Sequence, residues 1–282
     1  IGKVTAAICL LIPSDRLANM SALIEGLDPQ QIAAVKHEGS PLLVVAGAGS
    51  GKTRVLTRRI AYLLAQRNVA PYEVLAITFT NKAAGEMKER VAQLVGDRAK
   101  AMWVSTFHSA CVRILRKEAS LLGYTNSFTI YDQSDSLRLI TLVMRDLNLD
   151  TKRYAPRAVA ALISQAKNEL MGPADYLNQG KDQFQEIVAQ VFSIYQKRLS
   201  GANSMDFDDL ISKTVEVLQR HPETRAKYRS RFKHILVDEY QDTNHAQYVL
   251  IKELVGTASD SFALAELCVV GDADQSIYAF RG

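Results

Sequence analysis

Short apolar runs recur along the chain and predict a set of buried strands. The five runs are LLVVA (42–46), VLAITF (74–79), MWVS (102–105), HILVDE (234–239) and LCVVG (267–271). Most are rich in β-branched residues and do not alternate between apolar and polar positions, as expected of parallel strands that are covered on both faces. Helical patterns lie between the runs, so the chain is predicted to form a doubly wound α/β sheet.

Helical spacing of apolar residues marks the segments between the strands. After the first run, apolar residues at i, i+4, i+7 and i+8 form one helical face (Leu56, Ile60, Leu63 and Leu64). After the second run, Asn81 is predicted to cap the next helix. The stretch from about 132 to 200 has no strand pattern; Asp132 offers a helix cap there and Pro156 suits a first helical turn. A helical subdomain is therefore predicted between the third and fourth strands.

Composition narrows the class of protein only slightly. The 282 residues are 48% hydrophobic, enough for a sizeable core, and 34 basic against 30 acidic residues give a net charge of +4. That charge permits nucleic-acid binding without arguing for it. Three cysteines without metal-ligand spacing favour a reduced, cytoplasmic protein. The apolar run near the N-terminus is shorter than the roughly 20 residues that cross a membrane. Because the first recognisable motif begins at Leu27, Met20 is the expected start, and residues 1–19 are interpreted as a non-native or disordered extension.

A glycine-rich loop follows the first predicted strand and opens a helix. Its sequence is AGAGSGKT (46–53), in which Ala46 replaces the first glycine of the usual phosphate-binding loop. Glycines let backbone N–H groups approach phosphate oxygens, and the helix N-terminus favours anions. Lys52 can reach the β- and γ-phosphates, and the Thr53 hydroxyl can bind Mg²⁺.

Two adjacent carboxylates end the fourth predicted strand, in LVDEYQDTN (236–244). Carboxylate oxygens suit Mg²⁺, and a second carboxylate nearby can accept a proton from water. Asp238 is therefore predicted to face the metal, and Glu239 is predicted to be the general base. Together with the glycine-rich loop, this pair predicts ATP and Mg²⁺ as cofactors.

Six sequence segments follow one another in a fixed order: LDPQQ (27–31), AGAGSGKT (46–53), ITFTNKAAGEMKER (77–90), VSTFHSACVRILR (104–116), VDEYQDTN (237–244) and VVGDADQSIYAFRG (269–282). They resemble the glutamine motif and motifs I, Ia, Ib, II and III of the UvrD/Rep/PcrA-type superfamily 1 DNA helicases. Ala46 is itself usual in this family. The resemblance covers nearly everything from Leu27 to Gly282.

The resemblance implies a RecA-like P-loop domain, 1A, carrying an inserted all-helical domain, 1B. We expect 1A to comprise residues 20–116 and 205–282, and 1B to comprise residues 117–204. Because the chain ends just after motif III, the second motor domain of such helicases, with its arginine fingers, is expected to lie outside it. An arginine finger is worth roughly 10³–10⁵ in rate in related phosphoryl transfers, so the chain alone is expected to turn ATP over poorly.

The resemblance also assigns residues to the ATP site. It implies that Gln31 reads the adenine edge, that Arg54 packs against the base, and that Gln275 contacts the γ-phosphate region and reports its loss to the DNA. The residues expected to contact nucleotide are Gln31, Ala48, Gly49, Ser50, Gly51, Lys52, Thr53 and Arg54, and those expected to act in catalysis are Glu239, Lys52 and Gln275.

On the DNA side, the resemblance implies a single-strand groove lined mainly by aromatic residues. The matching positions are Phe79, Phe107, His108, Tyr278, Phe280 and Arg281. Phe280 stands where relatives commonly have tryptophan, so a weaker hold on DNA is expected. Stacking is worth roughly 1–3 kcal/mol per base and is indifferent to sequence. The expected partners are single-stranded DNA, single-strand/double-strand junctions, the second RecA-like domain and repair or replication proteins, with no membrane.

The implied activity is ATP-driven movement along single-stranded DNA in the 3′→5′ direction. Three alternatives stay open at the level of sequence. One is the motor part of an AddA/RecB-type helicase-nuclease, whose nuclease would lie beyond residue 282. A second is a non-catalytic fragment that binds ATP and single-stranded DNA. A third, a P-loop ATPase that does not act on DNA, is disfavoured by the segments at 77–90 and 104–116, which serve no evident phosphate function.

Overall fold

A five-stranded parallel sheet forms the centre of the molecule. The computed structural model describes residues 21–47, 49–179, 182–257 and 264–272. The strands of the sheet are β1 (Leu42–Val45), β2 (Val74–Thr78), β3 (Trp103–Thr106), β6 (His234–Val237) and β7 (Glu266–Gly271). Their spatial order is β1-β7-β6-β2-β3 and every pairing is parallel. All five strands predicted from the sequence are confirmed.

Helices cover both faces of this sheet. They are α1 (Pro29–Lys36), α2 (Lys52–Ala65), α3 (Asn81–Val95), α4 (Phe107–Glu118), α9 (Phe207–Arg220), α10 (Pro222–Arg231) and α11 (His245–Val255). Short 3₁₀ turns lie at Pro71–Glu73, Gly96–Ala101, Ala119–Leu122 and Tyr240–Asp242. The cap of α3 is Thr80, whose side chain accepts from the Ala83 N–H, so the prediction that Asn81 caps this helix was wrong by one residue.

Successive residues of the strands pack into two separate hydrophobic cores, one on each face of the sheet. In β6, Leu236 packs with α2 and α3 on one face of the sheet, whereas Ile235 and Val237 pack with the helices of the other face. A strand directs successive side chains to opposite faces, and burial of both faces explains why these runs show no polar alternation. On the edge strand β1, however, Leu43 and Val45 stay 61% and 58% exposed.

A helical unit interrupts the chain between β3 and β6. Its helices are α5 (Gln133–Asp146), α6 (Pro156–Asn168), α7 (Pro173–Gln179) and α8 (Gln183–Gly201). They surround their own apolar core, centred on residues such as Val143, Ile163 and Phe192. The helical insertion predicted from sequence is present, with Asp132 capping α5 and Pro156 in the first turn of α6. Its domain boundaries at 117 and 204 stay a prediction.

Two short strands at the base of the insertion were not foreseen. β4 (Thr129–Tyr131) and β5 (Ser204–Asp206) pair in parallel just before and just after the helical unit. Phe128 and Met205, which flank or lie in this pair, belong to the core of the sheet. The pair thus joins the insertion to the main sheet. Among the residues described, no helix is both long and apolar enough to span a bilayer.

Candidate active site

The carboxyl ends of three neighbouring strands define the site. Because the order is β1-β7-β6, the loops that follow these strands meet at one edge of the sheet. The edge at the carboxyl ends of parallel strands is where open α/β sheets bind ligands. The glycine-rich loop, the two carboxylates and the start of the last motif are therefore brought together from distant parts of the sequence.

The glycine-rich loop connects β1 to α2 in a conformation that favours glycine. Gly49 and Gly51 have φ values of 75° and 88°, in the left-handed region where a Cβ would be strained. Gly51 directly precedes α2 and provides no side chain to cap it. The first N–H groups of the helix are consequently available to an anion, which the helix dipole also attracts.

Lys52 is buried at the start of α2 and is already engaged. Its ammonium donates to the Ala46 carbonyl at 3.0 Å and to the Asp272 carboxylate at 2.9 Å. The side chain is 8% exposed and that of Asp272 is 1% exposed. The contact joins the glycine-rich loop to the residue that directly follows β7.

Asp238 and Thr53 lie side by side, although they are 185 residues apart in sequence. The Thr53 hydroxyl is 3.5 Å from an Asp238 carboxylate oxygen, and the Glu239 N–H donates to the other oxygen at 3.1 Å. Burial raises the pKa of Asp238, and the neighbouring Glu239 carboxylate adds to the effect. Both groups are hard oxygen donors, which fits Mg²⁺, a cation that takes one or two protein ligands and completes its shell with phosphate and water. In the described ranges no group of three or more His, Cys, Asp or Glu side chains is placed to bind a metal.

Glu239 has an unusual backbone conformation, and its carboxylate is hydrogen-bonded to Gln241. Its φ of 50° lies in the left-handed region, which is uncommon for a residue other than glycine and is often found at functional sites. The Gln241 amide donates to the Glu239 carboxylate at 2.7 Å and accepts from the Asp272 N–H at 3.0 Å. A Cβ on Gly271 would lie 3.0 Å from that accepting oxygen, so glycine leaves room for the bridge.

Sequence reasoning missed Gln241 and Asp272 as members of the site. Both lie within segments that the resemblance had singled out, 237–244 and 269–282. The resemblance marked these two segments but not these residues. The structure shows that Gln241 and Asp272 contact each other and connect Glu239 with Lys52.

Two further predicted nucleotide contacts lie beside the loop. The Gln31 amide donates to the Ser50 carbonyl at 3.0 Å and accepts from the Asp28 N–H at 3.1 Å, so it caps α1 and touches the glycine-rich loop. Arg54 is exposed, and its guanidinium donates to the Glu25 carbonyl at 3.2 Å. Their roles toward adenine stay predictions.

The aromatic residues predicted on the DNA side differ in exposure. Phe79 is half-buried and packs edge-on against Phe107, whose side chain is 2% exposed. Phe107 therefore belongs to the core in this structure and offers no ring face to a base. His108 is half-buried, burial lowers its pKa, and it packs edge-on against Phe207, which is 49% exposed. Phe207 was not predicted; it occupies the first position of α9, where sequence gives no sign of exposure.

Several predicted site residues cannot be compared with the structure. Ala48, Gln275, Tyr278, Phe280 and Arg281 lie outside the described residues, as does the extension at 1–19.

Comparison with known proteins identifies relatives along nearly the whole chain. The family described as UvrD/REP helicase N-terminal domain matches residues 27–282. The chain is 62% identical over 265 residues to ATP-dependent DNA helicase UvrD1 of Mycobacterium tuberculosis, covering 92% of this chain and 34% of the relative. It is 52% identical over 263 residues to ATP-dependent DNA helicase PcrA of Staphylococcus aureus, covering 93% and 35%. The chain thus spans about a third of the length of these relatives.

Proposed function

Because the chain belongs to the UvrD/REP helicase family, we propose that it carries the ATP site of a DNA helicase that moves along single-stranded DNA. The observation that carries the proposal is the convergence of Lys52, Thr53 and the Asp238–Glu239 pair at one edge of the sheet. Both kinds of relative are ATP-dependent DNA helicases, which favours this function over the helicase-nuclease alternative. Since the chain spans a third of these relatives, activity of the whole protein is part of the proposal.

Nucleotide phosphates bind at the glycine-rich loop. The N–H groups at the start of α2 and the left-handed glycines surround the anion, and Lys52 contributes a positive charge beside it. Gln31 and Arg54 flank the loop on the side of α1, where they contact the adenine. The contacts of Gln31 with the Ser50 carbonyl and of Arg54 with the Glu25 carbonyl support this proposal.

Hydrolysis requires a metal that binds the phosphates and a base that accepts a proton from the attacking water. Thr53 and Asp238 would hold Mg²⁺, which neutralises charge on the phosphates when it is bound. Glu239 accepts the proton of the attacking water. Gln241 keeps the Glu239 carboxylate oriented through its 2.7 Å hydrogen bond, so the base needs little rearrangement.

Single-stranded DNA lies across the carboxyl ends of β2 and β3. Phe79 directly follows β2, and His108 lies in the first turn of the helix that follows β3. Phe207 beside His108 adds an exposed ring. These groups stack on bases without regard to sequence. Burial lowers the pKa of His108, which favours the uncharged form of this ring.

Coupling between the two sites runs through the end of β7. This strand leads from the ATP site into the segment that holds Gln275 and the predicted DNA contacts Tyr278, Phe280 and Arg281. In the proposal, a second RecA-like domain closes on the nucleotide and contributes arginine fingers. Repeated opening and closing moves the protein 3′→5′ on single strands and at single-strand/double-strand junctions in DNA repair or replication, together with other proteins of those processes.

ATP turnover measured with and without single-stranded DNA tests this function. We expect slow turnover by the chain that a single-stranded oligonucleotide accelerates and that Glu239→Gln abolishes, because the substitution removes the base and keeps the size of the side chain. Lys252→Gln, at an exposed position of α11 outside all six motif segments, serves as a control that leaves turnover unchanged.

Turnover that persists in Glu239→Gln would contradict the assignment of the base. Turnover that is indifferent to DNA, together with no measurable binding of the oligonucleotide, would contradict the assignment to a helicase and support a P-loop ATPase of another kind.

A further inference from the structure

Lys52 is held by a buried carboxylate that the site prediction did not include. The ammonium lies 2.9 Å from Asp272, and both side chains are almost inaccessible to water. A buried, charge-assisted hydrogen bond of this kind is among the stronger polar contacts in a protein. The lysine that should meet the phosphates is therefore already paired with an anion from the end of β7.

Asp272 is itself fixed in place. Its N–H donates to the Gln241 oxygen at 3.0 Å, and β7 holds the preceding residue by pairing Gly271 with Val45 of β1. Gly271 lacks a Cβ at a point where one would crowd Gln241. The backbone of Asp272 is thus anchored by Gln241 and by the neighbouring strand, and this fixes the point from which its carboxylate reaches Lys52.

The same ammonium cannot serve Asp272 and a phosphate without conflict. Lys52 has three N–H donors, of which Ala46 and Asp272 use two in this structure. A phosphate that takes the third donor brings its negative charge beside a buried carboxylate, where charges are weakly screened. Either Lys52 leaves Asp272 when the nucleotide binds, or the two anions repel each other; both lower the affinity for nucleotide.

We propose that Asp272 is a positioning residue for Lys52 and sets how tightly the site holds nucleotide. The proposal rests on the proposed function, because it concerns the same phosphate site. Asp272 keeps the ammonium pointed into the loop before nucleotide arrives. When nucleotide binds, Lys52 exchanges its contact with the Asp272 carboxylate for contacts with phosphate oxygens. The loss of this contact directly changes the surroundings of Asp272 at the end of β7 and of Gln241, which is bonded to it.

Affinity for a fluorescent ATP analogue tests the exchange without needing turnover. We expect Asp272→Asn to bind the Mg²⁺ complex of N-methylanthraniloyl-ATP roughly three- to tenfold more tightly, because the phosphates no longer compete with a carboxylate for Lys52. Asp272→Glu, which keeps the charge, should not bind more tightly. In a Lys52→Ala background, Asp272→Asn should increase the affinity for the ATP analogue much less, because the lysine for which Asp272 and the phosphates compete is absent.

A second readout concerns the contact itself and does not depend on nucleotide. Lys52 acylation by an amine-reactive reagent, followed by mass spectrometry, should be several-fold faster in Asp272→Asn than in the unaltered chain. Lys82, which is exposed, should react equally in both proteins. Asp97→Asn also removes one negative charge, but at an exposed position that is distant in sequence from Lys52 and Asp272. It should change neither the affinity nor the acylation rate.

The outcomes separate this inference from the function on which it rests. Unchanged or weaker binding by a folded Asp272→Asn overturns the inference while leaving the nucleotide site intact, provided that Lys52→Ala still weakens binding at least tenfold. If the unaltered chain binds no ATP analogue, the proposed function fails, and the positioning role fails with it. An unchanged acylation rate of Lys52 overturns the contact in either case.

Discussion

Phe107 and Phe207 occupy equivalent local positions and differ only in what surrounds them. Each is the first residue of a helix that directly follows a short strand, yet Phe107 is 2% exposed and Phe207 is 49% exposed. Phe107→Ala is expected to destabilise the chain by about 3–5 kcal/mol, as for other buried aromatic residues. Phe207→Ala should weaken binding of single-stranded DNA by about 1–3 kcal/mol and leave the unfolding temperature nearly unchanged.

Fluorescence anisotropy with a labelled oligonucleotide, together with thermal unfolding of both variants, distinguishes the two residues. A Phe207→Ala variant that binds DNA as the unaltered chain does would remove this ring from the proposed groove. The resemblance placed Phe107 at the DNA face, and sequence alone could not correct that, because exposure depends on the packing of α4 against α9 and the sheet.

Asp208 is expected to make stability depend on pH. Burial, and next the charge of Asp206, raise the pKa of Asp208 from 3.8 to about 6. The folded chain then holds this proton more tightly than the unfolded chain, so Asp208 lowers the free energy of unfolding as pH rises from about 4 to about 6. Asp208→Asn should add about 1–3 kcal/mol at pH 7 and nothing at pH 3.5.

Urea unfolding at the two pH values measures this difference, with Asp97→Asn as the exposed control. An equal effect of Asp208→Asn at both values would show that the carboxyl group titrates normally. The raised pKa could not be anticipated from the sequence FDDL at 207–210, because it arises when α9 packs beside the insertion.

At the scale of elements, a buried cluster of charges joins the helical insertion to the main sheet. Lys167 of α6 pairs with Asp206 at 2.6 Å and Asp209 at 2.9 Å, and the Tyr195 hydroxyl donates to Asp206 at 2.7 Å. Burial opposes the charge of Lys167, but Asp209 and Asp206 outweigh it and raise the pKa of the lysine. Asp206 also ends β5 and caps α9, so one carboxylate connects four elements, α6, α8, α9 and β5.

Removing the cation from this cluster should destabilise the fold strongly. Lys167→Met leaves two buried carboxylates without their partner, which is expected to cost about 3–5 kcal/mol. Lys213→Met, which removes a more accessible partner of Glu216, is the matched control and should cost less than about 1 kcal/mol. Similar urea midpoints for the two variants would contradict the importance of the buried cluster.

The sequence predicted some elements well and others not at all, for a physical reason. Strands of the central sheet are buried on both faces, so their apolar runs stand out from the amphipathic helices. β4 and β5 contain three residues each and end in polar side chains, which is too short for any periodicity to show. Their pairing depends on the insertion bringing residues 129 and 204 together.

For the molecule as a whole, the candidate nucleotide site depends on strand order. β7 lies between β1, which precedes the glycine-rich loop, and β6, which Asp238 directly follows. Motif spacing predicted that Lys52, Thr53, Asp238 and Glu239 act together, but not that Asp272 and Gln241 would lie between them. That arrangement depends on strand order, which a single sequence does not reveal.

Calorimetric titration with Mg²⁺ and a non-hydrolysable ATP analogue tests whether the glycine-rich loop and Lys52 bind nucleotide. We expect one site per chain and at least a tenfold loss of affinity in Lys52→Ala, because a charge-assisted contact with phosphate is removed, while Lys82→Ala on an exposed surface binds normally. Circular dichroism should show all three proteins equally folded. Equal affinity of Lys52→Ala and the unaltered chain would contradict the assignment of the nucleotide site.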